Sequence, residues 1–105
     1  MRRGEIWWAE LPPPAGRRPV VLLSRNEAYQ VRELVTVAPV TTRIRNLPVE
    51  IPLGEMEGLA KSCVVNLDTI TTIPKKCLSE RIGVLSLPKL RALNQAIGFA
   101  LGLQD

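Results

Sequence analysis

The 105-residue chain contains no histidine and only two cysteines. Without histidine, a Ser-His-Asp triad, a Cys-His pair and any two-histidine acid–base scheme are excluded, so catalysis would have to use other groups. Cys63 and Cys77 do not belong to a CxxC pair, and no zinc site can be read. Cys63 stands in an apolar run and reads as a buried thiol behaving as a small hydrophobe. A Cys63–Cys77 disulfide is not expected in a reducing compartment. No apolar run reaches the length of a membrane span, and the charged N-terminus lacks an apolar signal core. The expectation is a cytoplasmic protein with no membrane partner. Internal repeats, low-complexity tracts and a second domain are also missing, so residues 1–105 read as one domain. Its single core is thin enough that a second copy would help stabilise it.

What is present is a hydrophobic fraction of 46%, dominated by Val, Ile and Leu, which argues for folding rather than disorder. The net charge is +4 and the pI about 9.6, a mild basic bias that hints at a polyanion partner. Its distribution says more. Arg17, Arg18, Arg25, Arg32, Arg43 and Arg45 share one stretch with only two carboxylates, Glu27 and Glu33. Arginine matches phosphate oxygens bidentately, so this stretch suits a nucleic-acid backbone. On the residues alone, solvated loop charge is an equal reading.

Patterning predicts a mainly β chain. Residues 4–11 read as a first strand with Ile6, Trp8 and Leu11 on one face, stopped by the stiff segment Pro12-Pro13-Pro14-Ala15-Gly16. Residues 19–24 form a continuous apolar run suited to a strand buried on both faces. A polar connection over 27–33 leads to strands at 34–40 and 49–53 with a basic loop between them. After a polar excursion over 54–61, strands follow at 63–67, 69–73 and 81–85, the second rich in β-branched residues. Short strands at short spacing predict a small, strongly bent antiparallel sheet or barrel. One helix closes the chain. Ser86 suits its N-cap, Pro88 its first turn, and Gly102 its end. Leu90, Leu93, Ile97 and Leu101 form its apolar stripe, expected to pack on the sheet. Trp7 and Trp8 point to opposite faces of a regular strand, one for the core, the other for an interface or a base.

Four islands stand in order: Arg3-Gly4-Glu5-Ile6-Trp7-Trp8, Arg17-Arg18-Pro19-Val20-Val21, Thr36-Val37-Ala38-Pro39-Val40-Thr41, and Ser62-Cys63-Val64-Val65-Asn66-Leu67-Asp68. Each is short, but their order in a chain of this length resembles the MazF/PemK family, and the likeness continues through Arg81-Ile82-Gly83 and Leu85-Ser86. The resemblance implies a small SH3-like, CcdB/PemK-type barrel with short helices and a C-terminal helix, assembled as a homodimer. It further implies a toxin of a type II toxin–antitoxin pair that cuts single-stranded mRNA without a metal or other cofactor. Such cleavage uses the RNA's own 2′-hydroxyl and leaves 2′,3′-cyclic phosphate and 5′-hydroxyl ends. The other implied partner is a cognate antitoxin, laying an acidic, disordered segment across the basic groove.

The family's catalytic arginine directly precedes Pro-Val, the position of Arg18. Preceding a proline biases Arg18 towards extended backbone and gives a long cationic side chain a rigid base. A guanidinium titrates too high to be a good general base, so its expected role is electrostatic. Thr41 matches the catalytic threonine, and its neighbour Thr42 could share that role. Arg17, Ser24, Thr42, Arg43, Arg45, Asn66 and Asp68 are the expected RNA-binding residues. Asn66 and Asp68 stand equally as readers of base edges and as groups that satisfy the local turn.

Two departures from the family pattern bear on specificity. Many relatives continue after Leu-Asp with Gln-Ile-Arg-Thr, where this chain has Thr69-Ile70-Thr71-Thr72, losing two RNA-contacting groups. The Leu11–Gly16 segment is shorter and stiffer than the usual Gly- and Ser-containing loop, implying a more open groove. The rival readings are a gyrase-binding poison of the CcdB kind and a non-cleaving relative that binds RNA or antitoxin. The C-terminal Leu101-Gly102-Leu103-Gln104-Asp105 lacks the bulky aromatic of the first. Retention of Arg18 and Thr41 argues against the second.

Overall fold

The computed structural model describes residues 1–103; Gln104 and Asp105, the last two positions of that C-terminal stretch, lie outside the described residues. Seven strands form one curled sheet: β1 (Glu5–Glu10), β2 (Arg17–Leu22), β3 (Leu34–Thr41), β4 (Glu50–Leu53), β5 (Cys63–Asn66), β6 (Thr71–Pro74) and β7 (Leu78–Val84). Their order is β4-β5-β3-β2-β1-β7, with β6 also on β3. Every pairing is antiparallel. The outer strands β4 and β7 do not pair with each other, so the expected bent sheet closes only into a half-barrel. Register shifts in the β1–β7 ladder between Ile6 and Trp7, and between Trp8 and Ala9, add to the curl.

Alternation sorts the side chains onto two faces. Ile6, Val21, Ala38, Val40, Ile51 and Val65 point to one face, where they pack with Leu93 and Ala96 of the C-terminal helix α2 (Leu87–Ala100). Ala9, Val20, Leu22, Val35 and Val37 point to the other, forming a second cluster with Ile73 and Leu78. The run Val20-Val21-Leu22 is therefore buried from both sides, as its lack of alternation predicted. Trp7 packs on the second cluster, whereas Trp8 is half-buried beneath the Arg17 guanidinium. Leu11 joins Trp7 and Ala9 at the second cluster rather than Ile6 and Trp8, because alternation along the chain puts residues 7, 9 and 11 on one face.

The 27–33 connection contains a short helix, α1 (Ala28–Val31), which buries Ala28 and Tyr29. The 54–61 excursion contains a 3-10 turn, Glu55–Glu57, locked to the rest of the fold by charge. The buried Glu57 carboxylate accepts from Gly54 N at 2.7 Å and from Lys89 Nζ of α2 at 2.8 Å. A Cβ at Gly83 would collide with the Glu57 carbonyl, so glycine there lets the turn lie directly on β7. Helix α2 begins as expected, with Ser86 Oγ accepting from Lys89 N. Its expected apolar stripe needs one correction. Leu93 and Ala96 are buried and Leu90 and Ile97 pack beside them, but Leu101 is exposed, because the helix ends at Ala100 and Leu101 is only its C-cap. Cys63 is buried, and burial pushes its thiol pKa up; neither it nor Cys77 is in a disulfide. No helix among the described residues is long and apolar enough to cross a membrane.

Candidate nucleic-acid groove

The register of the sheet assembles the site. Val20 pairs with Pro39, so continuing the same antiparallel register by two residues sets Arg18 opposite Thr41. Val65 pairs with Val40, which sets Asn66 opposite Pro39, and Asn66 pairs in turn with Glu50. Arg18, Thr41, Pro39, Asn66 and Glu50 thus share one face of four adjacent strands, away from α2. A groove of about 210 Å³ lies over them, lined by Arg18, Pro39, Thr41, Arg43, Arg45, Glu50, Asn66 and Thr69.

A local mismatch between strands shapes one wall. Val65 faces Val40 and Thr71 faces Val37, so residues 66–70 must lie against only residues 38 and 39. The surplus chain folds out as the 3-10 turn Leu67–Thr69, capped by Asn66 Oδ1, which accepts from Asp68 N at 2.9 Å. Pro39 has no N–H to offer a ladder at this point. The opposite wall is the loop joining β3 to β4. Thr41 Oγ1 accepts from Arg43 N at 3.1 Å, and Glu50 Oε1 accepts from Arg45 N at 2.9 Å and Leu47 N at 3.4 Å. These bonds stitch the backbone down while the Arg43 and Arg45 side chains remain exposed.

Arg18 is held from the third side. Its Nε–H donates to the Ala15 carbonyl of the proline-rich segment at 3.1 Å, which fixes the plane of the guanidinium. The Nη groups then present a preorganised positive fork, the arrangement that stabilises developing charge on phosphorus oxygens. Thr41, accepting from Arg43, keeps its own proton to donate.

Of the residues expected from the sequence, Arg18, Thr41, Arg43, Arg45 and Asn66 meet in this groove. Arg17 lies on the other face, stacked 4.4 Å from the Trp8 ring centroid and paired with Glu10 at 2.9 Å and Glu80 at 3.6 Å. Ser24 follows β2 at the end away from Arg18, about 20 Å along an extended chain; its Oγ accepts from Thr36 N. Thr42 and Asp68 flank the groove in sequence but do not line it. Asn66 does cap its turn, yet it also faces the groove, so the two readings of it coexist. Glu50 and Thr69 were not among the expected residues. Their positions follow from cross-strand register and from the outward fold after Asn66, neither of which is visible within a short motif. The departing segment itself divides: Thr69 joins the groove, while Thr72 faces Thr36 across the β3–β6 pair, with hydroxyl oxygens 3.5 Å apart.

Comparison with known proteins bears on the chain as a whole. The profile of the PemK-like, MazF-like toxins of type II toxin–antitoxin systems matches residues 2–101. The probable endoribonuclease MazF5 of Mycobacterium tuberculosis is 38% identical over 100 residues, covering 94% of this chain and 91% of that protein. The structure of the M. tuberculosis toxin MazF-mt6 superposes with a TM-score of 0.87 at 38% identity, covering 93% of this chain and 96% of that one. A mycobacterial endoribonuclease in complex with its cognate antitoxin also gives 0.87, at 27% identity, covering 100% of this chain and 98% of that one.

Proposed function

The chain belongs to the PemK-like, MazF-like toxins of type II toxin–antitoxin systems, and from that premise we propose that it is an endoribonuclease whose active site is the groove between Arg18 and Thr41. The observation that carries the assignment is their juxtaposition across β2 and β3, with Arg43, Arg45 and Asn66 around them. The substrate is single-stranded mRNA. Arg43 and Arg45 hold its backbone. Its 2′-hydroxyl loses its proton to water and attacks the adjacent phosphorus, the P–O5′ bond breaks, and the departing O5′ takes a proton from water, so that the products end in a 2′,3′-cyclic phosphate and a 5′-hydroxyl. Arg18 stabilises the extra negative charge on the phosphorus oxygens, and Thr41 donates a hydrogen bond to one of them. No metal takes part in this scheme.

In the same reading the protein is a cytoplasmic homodimer restrained by an antitoxin. Large exposed apolar side chains, such as Leu87, Phe99 and Leu101, fit a chain that does not act alone. An exposed arginine pair fits an acidic antitoxin segment lying where RNA would lie.

The test is incubation of a long single-stranded RNA with the protein in EDTA, with the new ends mapped. Discrete cuts leaving 2′,3′-cyclic phosphates are expected. Intact RNA, or cuts that require added metal, would overturn the reading.

A further inference from the structure

The groove contains one carboxylate among its arginines. Glu50 is only 8% exposed, and Oε2 is out of contact with solvent and without a hydrogen-bond partner. Its other oxygen is fully used, accepting from the backbone of Arg45 and Leu47. Holding the loop thus needs one oxygen, and an uncharged amide would serve. A shielded carboxylate oxygen left unsatisfied is unfavourable, and native proteins rarely retain one without a use. A phosphate cannot be that use, because like charges repel. A nucleobase can, since every base carries N–H donors on its edge.

Asn66 completes the argument. It is the cross-strand partner of Glu50 and faces the same groove. Its Oδ1 is committed to Asp68 N, so what it offers a ligand is its amide N–H pair. Side by side in the groove lining, Glu50 holds an unused acceptor that is shielded from solvent in the free protein, and Asn66 holds a donor. That pair matches a base edge carrying an adjacent donor and acceptor. Within a groove whose arginines contact the backbone, it marks the place where sequence is read.

We infer that Glu50 and Asn66 form a base-reading pair that fixes the identity of one nucleotide of the cleavage site. The inference rests on the ribonuclease reading and adds a specificity determinant to it. Glu50→Gln is the discriminating variant. Its amide oxygen can keep both bonds to the loop, while its NH2 replaces the Oε2 acceptor with a donor. Asn66→Asp makes the reciprocal change and can keep the cap on Asp68 N.

The experiment maps cleavage sites of wild type, Glu50→Gln and Asn66→Asp on one long RNA of mixed sequence. Where a variant cuts too slowly to map, its affinities are compared on oligonucleotides carrying 2′-deoxy at the scissile nucleotide and all four bases at each flanking position. Preference at a single shared position should fall by roughly tenfold or more in each variant, with other positions unchanged. If both variants keep the wild-type preference at every position, whatever their total rate, Glu50 is only a loop anchor and the inference is wrong. A wild type that cuts no RNA overturns the ribonuclease reading and this inference with it.

Discussion

In the proposed mechanism Arg18 and Thr41 divide the work that histidines perform in other ribonucleases. Arg18 supplies fixed positive charge, anchored through Nε on Ala15 O. Thr41 supplies one oriented hydroxyl, anchored by the Arg43 amide. Removing a preorganised donor from such a site costs on the order of 10²-fold or more in rate. Thr41→Ala should therefore lower the single-turnover cleavage rate by at least roughly that factor, while Thr41→Ser, which keeps the hydroxyl, stays close to wild type. An alanine variant as fast as wild type would remove Thr41 from the mechanism. The meeting of these two residues in the groove was legible because each stands at or next to a strand end inside a short motif. Glu50 was not, since nothing in Val49-Glu50-Ile51 announces a role; its meaning comes from pairing with Asn66 and from an oxygen without a partner.

Helix α2 is the buttress for the strands that carry the site. Leu93 is wholly buried against the face opposite the groove, among Val21, Val40 and Val65. Leu93→Ala should destabilise the fold by about 2–5 kcal/mol, measurable by urea denaturation. Replacing the exposed Leu101 in the same way should change stability by less than about 0.5 kcal/mol. Equal losses at both positions would mean that α2 is seated differently. The helix itself was readable from Ser86, Pro88 and its apolar period, and its first turn matches. Its far end was misjudged because the apolar period runs on to Leu101, one residue past the last helical residue. Short helices were implied by the resemblance, but patterning did not place the four-residue α1: it is too short to show a period, and tertiary burial of Ala28 and Tyr29 supports it.

Across the molecule, the arginines are not equivalent despite their closeness in sequence. Arg18, Arg43 and Arg45 line the groove, whereas Arg17 is occupied by Glu10, Glu80 and Trp8 on the opposite face. With three groove arginines, affinity for a non-cleavable single-stranded RNA should fall with salt at a log–log slope of roughly −2. Arg43→Ala or Arg45→Ala should make that slope shallower, and Arg17→Ala should leave it unchanged. A slope that responds to Arg17 but not to Arg43 or Arg45 would place the RNA on the other face. Net charge and the arginine-rich stretch showed that a polyanion was plausible, but only the alternation of β2 separates Arg17 from Arg18.

In the proposed mechanism Arg18 supplies the charge stabilisation for RNA cleavage. The most direct measurement is the single-turnover cleavage rate of Arg18→Ala on a wild-type target RNA in EDTA, with circular dichroism confirming that the variant is folded. The expected result is a loss of at least about 10²-fold in rate, with the far-ultraviolet spectrum unchanged. A folded Arg18→Ala protein that cuts at the wild-type rate would remove Arg18 from the mechanism.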